Sequence, residues 1–352
     1  MMDKMTEHVM NWTTDAFLKK LYEDTSAERL QLAEATSLQE QRSRLAQALR
    51  RALGAFPEHS GPLNPVLLKR RDYGDYTLEK VAYTTLDGVN VPVLILIPKG
   101  KRKRYPAVLA CHGHGNGQWD AVGMDPQGQE LDDPGIHNRV AVRLVKLGLV
   151  VVIPEIMGFG VRRMAAELEE NPNYSSCATL SSQLLMYGRT LAGMRVYEAM
   201  RALDYINSRS DVDAKRVGIF GFSGGGLIAA YTAALDERIK AVALSGWTNT
   251  FQGSILAMHH CIDNYLPGLL LDAEQPDLIG GLLAPRPLFV EGGEQDPIFP
   301  VAHTRRTVAE LENRYALWNA SDRFQYELHA GGHEISGKLS FDWLHRQLSE
   351  DE

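Results

Sequence analysis

The sequence predicts an α/β fold, a doubly wound and mostly parallel sheet entered through an antiparallel hairpin. Three observations carry this expectation. Continuous apolar runs of strand length recur at residues 106–111, 149–154, 216–220, 239–244, 287–291 and 324–328, as a parallel sheet covered on both faces demands. Segments of helical periodicity lie between them, the alternation of a doubly wound sheet. Ahead of them, residues 76–85 and 89–97 flank Leu86-Asp87-Gly88, and Asp-Gly supplies the positive φ angles that a tight hairpin turn needs.

The chain divides at its prolines. Residues 1–56 are rich in Ala, Leu, Glu, Gln and Arg, with apolar residues at helical spacing around Leu30 and Leu45, and predict an N-terminal helical arm. Three prolines, a glycine and a serine within residues 57–65 break that pattern and mark a linker. The main domain is expected over residues 57–352. Its segment 158–182 is polar and longer than a plain crossover requires, which makes it a candidate lid.

Bulk composition excludes several classes. With 352 residues, 44% of them apolar and 23% charged, the chain can bury a full core. Its longest apolar runs fall well short of the roughly 20 residues of a membrane helix. The first residues lack a basic start followed by an apolar run, so no secretory signal is expected. A formal charge of −7 disfavours nucleic acid as a partner. The basic run at residues 99–104 reads as a solvated turn. Cys111, Cys177 and Cys261 show no tight pairing and are expected as free thiols in a reducing, cytoplasmic setting.

The chemistry centres on Gly221-Phe222-Ser223-Gly224-Gly225, a G-x-S-x-G pattern placed between a strand and a small-residue helix. Such a turn needs glycines because backbone and helix approach too closely for side chains. Serine is a weak nucleophile at neutral pH and needs a base, with partners following in the order Ser, acid, His. Asp296, on the loop after the strand 287–291, is the expected acid, with Glu294 as competitor. His333, after Gly331 and Gly332, is the expected base, and His329 is assigned a structural role. Backbone N–H groups of Gly224 and His114, the latter with Gly113 as neighbour, are the expected oxyanion donors. Glu155 and Trp247 are candidate pocket residues because ligands bind beyond the carboxyl ends of strands, and Arg162 and Arg163 are candidates beside Glu155. Neither His112 with His114 nor the run His259-His260-Cys261 brings an acidic ligand set at sensible spacing, so no metal is expected. No nucleotide-binding fingerprint is present, and no cofactor is expected.

With these motifs in hand, the chain resembles bacterial α/β-hydrolases of the acetyl xylan esterase-like and dienelactone hydrolase-like groups. The likeness runs from Pro57 to the C-terminus. It is strongest at residues 188–195, 202–205, 221–226, 264–268 and 284–287. The resemblance implies an eight-stranded hydrolase sheet, with Ser223, His333 and Asp296 as nucleophile, base and orienting acid. The expected activity is hydrolysis of small-molecule carboxylic esters with small acyl groups through an acyl-enzyme. A serine peptidase of prolyl-oligopeptidase type and a non-catalytic binder on a hydrolase scaffold stand as alternatives. The arm is a candidate for capping the pocket or for forming a homo-oligomer.

Overall fold

The computed structural model describes residues 12–34, 36–57, 61–86, 88–170 and 175–349. Outside these lie the residues behind the reading on a secretory signal, Asp87 of the hairpin turn, residues 58–60 of the linker, and residues 171–174 of the candidate lid.

Nine strands form one sheet: β1 (Val66–Asp72), β2 (Tyr76–Leu86), β3 (Val89–Pro98), β4 (Tyr105–Cys111), β5 (Val150–Pro154), β6 (Val212–Phe222), β7 (Ile239–Ser245), β8 (Leu288–Gly293) and β9 (Phe324–His329), in the order β1-β2-β3-β5-β4-β6-β7-β8-β9. The pairs β1·β2, β2·β3 and β3·β5 are antiparallel. From β5 to β9 every pair is parallel. The expected strands all form, within a few residues of their predicted ends. The ninth corrects the implied eight. β1 is an edge strand with almost every residue exposed; its apolar stretch is only Val66-Leu67-Leu68 and gives way to the charged Lys69-Arg70-Arg71-Asp72, too short a run to read as a covered strand.

The principal helices are α1 (Asp15–Glu34), α2 (Leu38–Leu53), α3 (Val140–Lys146), α4 (Cys177–Leu185), α5 (Leu191–Ser208), α6 (Gly224–Leu235), α7 (Gln275–Leu283), α8 (Val301–Leu317) and α9 (Ser340–Ser349). Strand alternation builds two cores. In β4, Ala107, Leu109 and Cys111 face the side covered by α2, α5, α6, α7 and α8, while Val108 and Ala110 face α3 and α9. No described helix is long and apolar enough to cross a membrane.

The two helices before the linker differ in kind. Helix α2 opens with a capping box, in which Ser37 Oγ accepts the Glu40 N–H and the Glu40 carboxylate accepts the Ser37 N–H. Its Leu45, Leu49 and Leu53 are buried in the main core. Helix α1 exposes Phe17, Leu18, Leu21 and Leu30 and buries only Thr25 and Arg29 among its described side chains. It touches the body through Arg29, which donates to the Leu270 carbonyl, and Tyr22, whose hydroxyl donates to Glu274 at 3.2 Å. The run at residues 99–104 is an exposed connection between β3 and β4.

Candidate active site

Ser223 ends β6 and opens α6 at φ +54° and ψ −124°, backbone that a non-glycine residue adopts only where its surroundings hold it. Its N–H donates to the Ser245 carbonyl at 2.9 Å and its carbonyl accepts the Gly226 N–H at 2.7 Å. The glycines are required by close approach. A Cβ on Gly225 would collide with the Cys111 carbonyl, one on Gly221 with the Gly225 carbonyl, and one on Gly226 would lie 2.7 Å from the Trp247 Cβ.

Asp296 is buried on the loop after β8. Its Oδ1 accepts the Ile298 and Phe299 N–H groups, both at 2.9 Å, and its Oδ2 accepts from His333 Nδ1 at 2.7 Å. His333 Nε2 stands 2.9 Å from Ser223 Oγ. With Nδ1–H committed to the carboxylate, Nε2 is left to accept the serine hydroxyl proton. Glu294 points elsewhere, exposed and paired with Arg305. His329 Nδ1 accepts the Gly331 N–H at 3.1 Å, bracing the loop that carries His333. The other end of that loop hangs on Glu291, a buried carboxylate that accepts the Ser336 and Gly337 N–H groups and the Ser245 and Ser340 hydroxyls at 2.8–3.0 Å. Sequence reading treated Glu291 only as a strand end.

The loop after β4 is held by three buried side chains. His137 Nε2 accepts the Gly113 N–H at 3.0 Å, so of the two candidate donors on this loop that of Gly113 is already engaged. His112 Nε2 accepts the Ile156 N–H at 3.1 Å, while its Nδ1–H donates to the Gly113 carbonyl at 2.8 Å. Burial lowers the His137 pKa to about 4 and that of His112 to about 3, so both rings are neutral at pH 7 and keep the acceptor nitrogens these bonds need. The third is Glu155.

Glu155 and Trp247 are corrected. Glu155 does follow β5, but its side chain turns beneath the loop, where Oε1 accepts the Gln118 N–H at 2.7 Å, and it lines no part of the cleft. Burial raises its pKa to about 7. Trp247 is buried behind the elbow with its ring edge-on to Tyr231. Arg162 forms a buried two-point pair with Glu198 at 2.6 and 2.7 Å, and Arg163 donates to the Gly160 carbonyl. No described residue of the candidate lid lines the cleft.

The cleft above Ser223 has a volume of about 230 Å³ and is walled by His114, Ile136, His260, Ile298 and Phe299. The rings of Phe222 and Phe299 pack against His333, with centroids at 5.1 and 5.6 Å. Neither histidine-rich spot gathers ligands by itself. Instead, one member of each converges with a third residue: His114, Cys177 and Cys261 bring their ligand atoms within 4.8 Å of one another.

The sheet order, the alternation of parallel strands with helices and the strand–elbow–helix around Ser223 define a protein of the α/β-hydrolase fold. The chain belongs to the Abhydrolase family, whose model matches residues 14–329. It is 30% identical over 290 residues to YtaP of Bacillus subtilis (strain 168), a candidate hydrolase, covering 80% of this chain and 91% of that one. Among solved structures, a candidate acetyl xylan esterase from Bacteroides fragilis NCTC 9343 superposes with a TM-score of 0.74 at 20% identity, over 89% of this chain and 88% of that one. A glucuronoyl esterase from Solibacter usitatus gives 0.64 at 17% identity, over 88% and 91%. At these identities the structural likeness is one of fold.

Proposed function

We propose that the protein is a serine-dependent hydrolase of carboxylic esters carrying small acyl groups. The observation that carries this reading is the unbroken hydrogen-bond chain from Asp296 through His333 to Ser223 Oγ. Ser223 Oγ attacks the ester carbonyl while His333 Nε2 takes its proton. Asp296 holds the imidazole and stabilises the imidazolium that forms. The N–H groups of Gly224 and His114 receive the oxyanion. Collapse of the tetrahedral intermediate sends the proton from Nε2 to the leaving alcohol, and water then repeats the sequence on the acyl-serine.

A small neutral acyl group suits a narrow cleft with no lysine or arginine among its described lining residues. Ester rather than peptide substrates are favoured by the compared structures, which are named as esterases. Three free thiols fit the reducing cytoplasm we assign to the protein. The exposed apolar residues of α1 support a role for the arm in self-association rather than in capping, since no described arm residue lines the cleft.

The test is hydrolysis of p-nitrophenyl esters from acetate to octanoate, with Ser223→Ala alongside. Turnover strongest on acetate, falling by roughly 10⁴-fold or more in the variant, is expected. Turnover unchanged in a folded Ser223→Ala protein would overturn the assignment.

A further inference from the structure

We propose that His114, Cys177 and Cys261 form a binding site for one thiophilic divalent cation of the zinc type, set beside the nucleophile. The three residues come from different parts of the chain: the loop after β4, the first turn of α4, and the segment following His260. Their ligand atoms lie within 4.8 Å of one another. Tetrahedral zinc, with Zn–S near 2.3 Å and Zn–N near 2.0 Å, sets S···S at about 3.8 Å and S···N at about 3.5 Å. Small side-chain rotations close the difference.

Two independent features point to a cation. His114 Nε2 is buried with its hydrogen-bonding capacity unmet among the described residues, while the Phe159 ring packs edge-on against its imidazole with centroids 4.8 Å apart. A disulfide between the two cysteines would leave the imidazole without a part, whereas a metal takes one of its ring nitrogens. The surrounding charges also fit. Arg195 is buried, is paired with Asp263, and donates from Nη2 to Cys177 Sγ at 3.2 Å. This is the outer-shell hydrogen bond that stabilises a ligating thiolate. The Arg195–Asp263 pair is neutral, and two thiolates balance a dication, so the occupied site buries no net charge.

Two thiolates and one imidazole select zinc-like rather than hard cations. Three protein ligands leave a fourth position open. His114 and Cys261 both line the cleft that holds Ser223, so that position is reachable from it. The site does not depend on the ester chemistry.

The experiment titrates Co²⁺ into the reduced, chelator-treated full chain. One equivalent should bind with a thiolate-to-cobalt charge-transfer band and tetrahedral ligand-field absorption, and Zn²⁺ should displace it. Cys177→Ser and Cys261→Ser, each checked for folding by circular dichroism, should weaken binding beyond the roughly 10–100-fold that loss of a supporting residue costs. A double His259→Ala, His260→Ala variant should keep the band. Absence of the band in the folded wild type would overturn the proposal, as would its persistence in both serine variants or its loss in the double-alanine variant.

Discussion

Asp296 Oδ2 lies 2.7 Å from His333 Nδ1 while the opposite oxygen of the same carboxylate accepts two backbone amides. The carboxylate is therefore fixed by its own loop, and the imidazole is oriented by it. Nothing comparable holds Glu294, two residues earlier in the chain, which is exposed and paired with Arg305.

Asp296→Asn replaces an acceptor at Oδ2 by an amide that can donate, which favours the tautomer with the proton on Nε2. That proton faces Ser223 Oγ and removes the base. Ester kcat should fall by about 10⁴-fold with little change in KM, while Glu294→Gln should stay within about twofold of the parent. Steady-state kinetics on p-nitrophenyl acetate distinguish them, and equal losses would return the acid to an open question.

Glu155 sets a pH dependence of stability. Burial raises its pKa from 4.5 to about 7 in the folded state, so between these values the folded protein holds a proton that the unfolded chain releases. The group's stabilising contribution is fully present below pH 4.5 and is lost as pH rises through 7. Glu155→Gln keeps an oxygen acceptor for the Gln118 N–H and does not titrate. Relative to this variant, the wild type should lose up to about 3 kcal/mol of unfolding free energy between pH 5 and pH 8. Urea unfolding at the two pH values measures the change, and a constant difference would refute it.

The two N-terminal helices should respond differently to deletion. Removing residues 1–36 takes away α1, which is mostly exposed, and should leave a folded protein with a Tm within a few degrees of the full chain. Removing residues 1–56 also strips Leu45, Leu49 and Leu53 from the main core. At about 2–5 kcal/mol for each buried leucine lost, that truncation should not yield a folded, soluble protein. Circular dichroism and thermal melts of both truncations decide between these outcomes.

Local pattern made most of this protein legible. Apolar runs located the parallel strands, and the Gly-rich elbow located Ser223. Chain order after the elbow led to Asp296 and His333, which the structure brings within hydrogen-bonding distance of each other and of Ser223. These features are written in neighbouring residues, because strand alternation and turn chemistry act over a few positions. The edge strand β1 left only the three-residue apolar stretch Val66-Leu67-Leu68, followed by four charged residues. Glu155 and Trp247 were placed correctly along the chain but misjudged in direction, since whether a side chain at a strand end turns into the cleft or beneath a loop depends on which unpaired backbone N–H groups lie near it. The roles of His112, His137 and Glu291, and the meeting of His114 with Cys177 and Cys261, join segments far apart in the chain. No local periodicity encodes such contacts. Only the packing of β4, α4 and the segment after β7 around one sheet brings them together.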